Sequence, residues 1–129
     1  MCSREELERI ASAVVDSAYR VHSALGPGLL ESAYAACHAY ELRERGLQVR
    51  CQVRLPVKYR ELEIDAGYRL DLLVGEAVVV ENKVVRALEP IHMAQLLTYL
   101  RLSGHRIGFL INWNTTRIRD GIRRLVNQL

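Results

Sequence analysis

Three ionisable side chains lie within stretches that otherwise read as buried β-strands. Glu81 and Lys83 interrupt the valine run VVVENKVV at residues 78–85, and Asp71 is bracketed by leucines in GYRLDLLV at residues 67–74. Residues two apart in a strand share a face, so Glu81 and Lys83 point the same way. An unpaired charge in an apolar layer is costly, so these side chains must be paired, hydrated or bound to a ligand.

The position of Asp71 relative to Glu81 depends on the turn between the two strands. If Val74 pairs with Val78, Asp71 falls opposite Glu81 and on the same face, which requires a three-residue connection or a bulge. A tight two-residue turn would instead place Asp71 opposite Val80. The sequence leaves both registers open.

A site with two carboxylates and one lysine suits a divalent cation. Neighbouring carboxylates repel one another, and a single ammonium does not neutralise both in a low-dielectric setting. Magnesium favours such oxygen ligands, and the bound ion can polarise a phosphoryl oxygen while a lysine stabilises developing negative charge. The alternatives are an internal salt bridge among Asp71, Glu81 and Lys83, or a strand exposed on one face.

Hydrophobic periodicity predicts the element order α, α, β, β, β, α, β, α. The predicted helices cover residues 4–25 behind a Ser3 cap, residues 29–45, a segment from Pro90 to Gly104, and a final segment bearing Ile118, Ile122, Leu125 and Val126. The predicted strands are Val49 to Tyr59, Gly67 to Val74, Ala77 to Val85 and Arg106 to Ile111. Pro56 cannot donate to a ladder, so the first strand should lie at an edge or break there.

Composition fits one compact intracellular domain. The chain has 129 residues, 50% of them hydrophobic, and is expected to form a single domain over residues 1–129. The net charge of +3 suits an anionic partner without specifying one. Cys2, Cys37 and Cys51 form no CxxC pair and read as reduced thiols. With no signal-peptide pattern and no apolar run of about 20 residues, we expect a cytoplasmic protein without membrane association.

A family resemblance makes the prediction more specific. Asp71 followed by Glu81-Asn82-Lys83 resembles the D…ExK core of the PD-(D/E)XK nuclease superfamily, with Leu70 in place of the usual proline. Residues 28–34, GLLESAY, resemble the GxxExxY motif that names one family within it. The similarity continues through YRLDLLV, VVVENKV, the helix bearing Gln95, and GFLINW.

The resemblance implies both a fold and a set of site residues. The fold would be α/β, with a restriction-endonuclease-like αβββαβ core, a mixed four-stranded sheet flanked by helices, and extra N-terminal and C-terminal helices. Asp71 and Glu81 would bind Mg²⁺ or Mn²⁺, and Lys83 would be the catalytic lysine. Further contributions would come from the Asn82 carbonyl as a ligand, from Glu31 reaching the metal from its helix, and from Gln95 lining the site, with Tyr99 one turn further on.

The function implied by the resemblance is metal-dependent hydrolysis of phosphodiester bonds in nucleic acid, with DNA as the expected partner. The alternative is a catalytically silent nucleic-acid-binding or regulatory module on the same fold. The sequence leaves open whether the chain forms a homodimer.

Several remaining polar residues have simpler interpretations. If Gly28 is an N-cap, Glu31 occupies the third helical position and favours the positive end of the helix dipole, a role that a site function does not exclude. The histidines are expected at surface or cap positions, and His92 shares a helical face with Gln95. Two basic rows read as solvated faces or as phosphate contacts: Arg50, Arg54, Lys58 and Arg60 on the first strand, and Arg117, Arg119, Arg123 and Arg124 in the final helix.

Overall fold

A computed structural model describes residues 2–129. Within these residues the chain forms three α-helices, one short 3₁₀ helix and seven strands. The helices are α1 (Arg4–Leu25), α2 (Glu31–Glu44) and α3 (Pro90–Ser103), and the 3₁₀ helix is Ile118–Gly121. The strands are β1 (Val49–Arg54), β2 (Val57–Tyr59), β3 (Leu62–Ile64), β4 (Arg69–Val74), β5 (Val78–Lys83), β6 (Ile107–Asn112) and β7 (Ile122–Val126).

A mixed five-stranded sheet in the order β1-β4-β5-β6-β7 forms the centre of the fold. β5 and β6 run parallel, and the other neighbouring pairs are antiparallel. Helices α1 and α2 pack on one face with Leu72, Val78 and Val80, while α3 packs on the other with Leu73 and Val79. The α/β class and the mixed, helix-flanked sheet are confirmed, but the sheet has five strands where four were predicted.

The first helix follows its sequence signals closely. The Ser3 hydroxyl accepts a hydrogen bond from the Glu6 N–H at 3.1 Å and caps α1. The helix ends at Gly26, which takes a positive φ of 68°. None of the helices within residues 2–129 is long and apolar enough to span a membrane.

The predicted C-terminal helix is wrong. The chain makes one 3₁₀ turn and then adds β7 to the edge of β6, with Ile122 paired to Ile111. A helix this short would have few internal hydrogen bonds, whereas a strand pairs the otherwise open edge of β6. Gly121 permits the approach, because a Cβ there would lie 2.1 Å from the Asn112 carbonyl oxygen.

The long first strand breaks at Pro56, as predicted. β1 lies at the edge of the main sheet, and the chain beyond Pro56 forms a separate hairpin of β2 and β3. The strand β3 was not predicted. The hairpin lies between the first two strands of the core in sequence and carries exposed Tyr59 and Leu62.

The β4–β5 turn takes the register that brings the two carboxylates together. Val74 pairs with Val78, and Leu72 pairs with Val80, so three residues connect the strands. Gly75 and Glu76 both adopt positive φ, of 59° and 54°. This is the three-residue connection considered above, and extending the register places residue 71 opposite residue 81.

Candidate functional site

Asp71 and Glu81 exchange hydrogen bonds with one another's strands. The Asp71 N–H donates to Glu81 Oε1 at 3.1 Å, and the Asn82 N–H donates to Asp71 Oδ2 at 2.8 Å. Each carboxylate therefore stands in for a backbone carbonyl at the point where the regular β4–β5 ladder stops. The second oxygen of each group is left for another ligand.

The regular alternation of side chains along β4 is interrupted next to Asp71. Residues two apart in a strand should share a face, yet Leu70 packs in the α3-side core and Leu72 in the α1–α2-side core. The alternation therefore breaks at Asp71. On β5, Val79 packs on the α3 side, and by alternation Glu81 lies on that side too.

A negative charge on Glu81 is unfavourable in this environment. Its side chain is buried, with only 5% of its surface exposed. Burial first, and the neighbouring Asp71 second, raise the pKa of Glu81 to about 8. Lys83 and the Asp71 N–H act in the opposite direction without cancelling this rise.

Lys83 does not form the internal salt bridge that would give these charges a purely structural explanation. The ion pairs within 4 Å among residues 2–129 do not include Lys83. The Nζ of Lys83 instead donates to Gln95 Oε1 at 3.5 Å. A neutral group thus holds the ammonium, and no carboxylate of the described residues lies within 4 Å of it.

Helix α3 brings Gln95 and Tyr99 to the site. The helix starts with Pro90 at its first turn and a reciprocal cap in which the Glu89 N–H donates to His92 Nδ1 at 2.9 Å. Tyr99 is buried, and its pKa is raised by burial first and by Glu81 second. Gln95 therefore lies beside Lys83 and Tyr99 near Glu81, and their roles at the site stay predictions. His92, which shares a helical face with Gln95, caps the start of the helix.

Glu31 approaches from the start of α2. The helix begins at Glu31 with Leu30 as its N-cap, so the predicted Gly28 cap and third-position glutamate are wrong. Burial first, and Asp71 second, raise the pKa of Glu31, while Lys83 opposes the rise. Glu31 therefore lies close enough to Asp71 for the two carboxylates to repel one another. No three Asp, Glu, His or Cys side chains in the described part of the chain converge into a metal-binding group, so Glu31 does not complete a ready-made triad.

Asn82 directs its backbone and its side chain to different partners. Its backbone N–H points toward β4, where Asp71 accepts it. The carbonyl of a strand residue points to the same side as its N–H, so the Asn82 carbonyl also faces the carboxylates. The side chain is buried among the apolar residues on the other face, where its Oδ1 accepts the Trp113 indole N–H at 2.9 Å.

Sequence reasoning did not identify Asn112 and Trp113 as supports of the site. The Asn112 amide clamps Val85, accepting the Val85 N–H at 3.1 Å and donating to the Val85 carbonyl at 3.0 Å. The Trp113 backbone N–H donates to the Lys83 carbonyl at 3.0 Å. The polar Asn112 at the end of the apolar run GFLIN was the available signal, because buried amides need specific partners.

Two histidines depart from the expected surface positions. His22 and His38 are buried beside Trp113, with ring-centroid separations of 6.5 and 5.4 Å. His38 Nε2 lies 2.9 Å from the Val14 carbonyl oxygen, and burial lowers the pKa of this imidazole to about 4. Both histidines are buried because the Trp113 side chain extends the core to the faces of α1 and α2 that carry these rings.

The two basic rows are largely compensated by carboxylates. The second row is not helical, since its residues lie in or beside the 3₁₀ helix and β7. Five of the eight cations pair with an acidic side chain: Arg50 with Glu76, Arg54 with Asp65, Lys58 with Glu63, Arg117 with Asp120, and Arg124 with Glu8. Phosphate contacts by these rows remain a prediction.

Comparison with known proteins gives one match. A family model for the PD-(D/E)XK nuclease superfamily matches residues 8–125. No curated protein matches the chain, and no solved structure does so.

Proposed function

Because the chain belongs to the PD-(D/E)XK nuclease superfamily, we propose that it is a metal-dependent nuclease that hydrolyses phosphodiester bonds in DNA. Within the superfamily we assign it to the GxxExxY family, on the motif that Gly28, Glu31 and Tyr34 form. The observation that carries the proposal is the Asp71–Glu81 pair near Lys83, which forms no ion pair within residues 2–129. Superfamily membership supports the reaction class, and the choice of DNA rests on the resemblance.

The donor atoms at this site fit a hard divalent cation. Glu81 is buried next to a second carboxylate, and burial first and Asp71 second raise its pKa to about 8, so a cation bound there would favour its charged form. Carboxylate and carbonyl oxygens are the ligands that Mg²⁺ and Mn²⁺ prefer. Asp71, Glu81 and the Asn82 carbonyl would hold the ion, with Glu31 on the helix side. When bound, the ion would polarise a phosphoryl oxygen and lower the pKa of a bound water.

The chain's own residues supply the remaining electrostatics. The Lys83 ammonium has no carboxylate within 4 Å among the described residues, so its charge is available for the oxygens of a phosphodiester in the transition state. Gln95 accepts a hydrogen bond from this amine and so orients it without neutralising it. Tyr99 lies buried on the α3 side, near Glu81.

The test is cleavage of single-stranded, duplex and branched DNA and of RNA in the presence of Mn²⁺. Lys83→Ala should abolish cleavage, because it removes the only lysine at the site. Lys58→Ala is the matched control, since Lys58 is the chain's other lysine and lies exposed on the β2–β3 hairpin. The control should keep the wild-type kcat, and any loss should appear only as weaker substrate binding, since Lys58 belongs to the first basic row.

Two results would contradict the proposal. Binding of nucleic acid without cleavage, unchanged by Lys83→Ala, would identify a silent binding or regulatory module. Cleavage that persists equally in Lys83→Ala and Lys58→Ala would come from another site or from a contaminant.

A further inference from the structure

A buried chain of contacts joins the start of α2 to the end of β5 through Tyr34, Trp113 and Asn82. We propose that Tyr34 and Trp113 are positioning residues, which hold these two segments in register so that Glu31 and the Asn82 carbonyl both face the carboxylate pair. The inference rests on the proposed function for its catalytic meaning. It gives Tyr34, the tyrosine of the G-x-x-E-x-x-Y stretch, a role in positioning Glu31 and Asn82.

Tyr34 fixes the loop from which Glu31 emerges. Its hydroxyl donates to the Gly26 carbonyl at 2.5 Å and accepts the Leu29 N–H at 3.1 Å. Helix α2 has no side-chain cap of its own, and Gly28 in this loop has a φ of 106°. The phenol therefore joins the two ends of a loop that would otherwise have few constraints, and it sets where the helix and Glu31 begin.

Tyr34 also stacks on Trp113. The ring centroids lie 4.9 Å apart and the ring planes differ by 5°. Both side chains are fully buried, and His38 packs edge-on against the same indole at 5.4 Å. Close-packed rings on two sides of the indole restrict its rotamers, so the pair can transmit a displacement of Tyr34 to Trp113.

Trp113 holds β5 at two successive residues. Its indole N–H donates to Asn82 Oδ1 at 2.9 Å, and its backbone N–H donates to the Lys83 carbonyl at 3.0 Å. Asn82 Nδ2 is buried and has no hydrogen-bond partner among residues 2–129. The indole is therefore the group that orients this amide. The Asn82 backbone, fixed from behind, donates to Asp71 on the site face.

The polar atoms in this chain distinguish positioning from simple packing. Phenylalanine would fill the Tyr34 site with nearly the same volume, and an apolar ring would fill much of the Trp113 site. The hydroxyl and the indole N–H carry a desolvation cost and are directed at the loop before Glu31 and at Asn82. Both targets lie next to proposed ligands.

The first experiment compares Tyr34→Phe with Tyr40→Phe, a control on the same helix whose tyrosine is 62% exposed. Mn²⁺ affinity is measured by calorimetry. Tyr34→Phe should weaken binding about tenfold, the lower end for residues that orient metal ligands, and Tyr40→Phe should not change it. Trp113→Phe should weaken binding further, since it removes the hydrogen bond to Asn82.

A second readout needs neither metal nor turnover. Amide hydrogen exchange followed by NMR reports the Leu29 and Asn82 backbone N–H groups separately. In Tyr34→Phe, Leu29 should exchange faster because it loses its acceptor, and Asn82 should also exchange about tenfold faster if the stack transmits the change. Tyr40→Phe should leave both rates as in the wild type.

The outcomes separate this inference from the proposed function. Faster exchange at Leu29 with no change at Asn82, or Mn²⁺ affinity equal to that of the wild type in Tyr34→Phe, would overturn the positioning role. If the wild type neither binds Mn²⁺ nor cleaves nucleic acid, the proposed function fails. The exchange rates then still decide whether Tyr34 and Trp113 couple α2 to β5.

Discussion

Replacing Glu81 by glutamine should stabilise the metal-free protein at neutral pH. The pKa of Glu81 in the fold, about 8, lies above its ordinary value of 4.5. A raised carboxyl pKa contributes stability that is fully present below about pH 4.5 and is lost as the pH rises through about 8. At pH 7 the wild type has lost most of this contribution, because Glu81 ionises freely in the unfolded chain while the fold keeps its carboxyl largely protonated.

The size of the effect follows from the pKa shift. About 2.5 pH units separate the ordinary pKa from pH 7, and each unit is worth about 1.4 kcal/mol, so the upper bound is about 3.5 kcal/mol. Relaxation and water entry reduce this bound, and we expect Glu81→Gln to gain about 1–3 kcal/mol at pH 7. The glutamine Oε1 can still accept the Asp71 N–H that Glu81 holds at 3.1 Å, so little is lost on substitution.

Urea unfolding in chelator, followed by the fluorescence of the single tryptophan, measures this gain. The difference between variant and wild type should shrink on acidification and vanish below about pH 4.5, where Glu81 becomes protonated in both the folded and the unfolded state. Glu76→Gln is the control, because Arg50 lowers the pKa of Glu76 and its removal should give no gain. A Glu81→Gln protein no more stable than the wild type at pH 7, or a gain independent of pH, would refute this account of the site.

Two further predictions concern the support of the site. His38 has a folded pKa of about 4, below its ordinary 6.5, so its contribution to stability should be complete above about pH 6.5 and be lost toward pH 4. His38→Asn should flatten the acid side of the stability profile measured by urea unfolding, and an unchanged slope would contradict the burial of a neutral imidazole. Gly121→Ala should cost about 1–3 kcal/mol, because its Cβ would meet the Asn112 carbonyl oxygen at 2.1 Å. Thermal unfolding measures this cost, and a variant as stable as the wild type would mean that β7 does not pack as described.

The parts of the fold set by strong local patterns could be predicted from the sequence. The cap and periodicity of α1, the break at Pro56 and the valine strand all depend on neighbours in the chain, and each was found where expected. The C-terminal segment failed because Ile118, Ile122 and Leu125 also fit a helical repeat. Only the open edge of β6 decides that this segment becomes a strand, and no local pattern encodes that edge.

The candidate site divides in the same way. Asp71 and Glu81 could be identified as charges within apolar strands. Whether they face one another depends only on the length of the turn between β4 and β5, which involves residues close in sequence. The bond between Trp113 and Asn82 links residues 31 apart in sequence, and Tyr34 reaches Trp113 from a different layer of the fold. Such contacts depend on the packed tertiary structure. The sequence therefore indicated the acids and the lysine but not the aromatic pair behind them.

The hydrogen bonds that Asp71 and Glu81 accept from one another's strands also join β4 to β5, so the two acids have a structural role as well. A descendant that abandoned chemistry would still need both acids, or close mimics of them, to keep β4 joined to β5 at this end. Their retention in a related chain is therefore poor proof of turnover. Among residues 2–129 the side chain of Lys83 joins no strand and hydrogen-bonds only to Gln95. Loss of this lysine would therefore be the clearer mark of a nuclease that has become inactive.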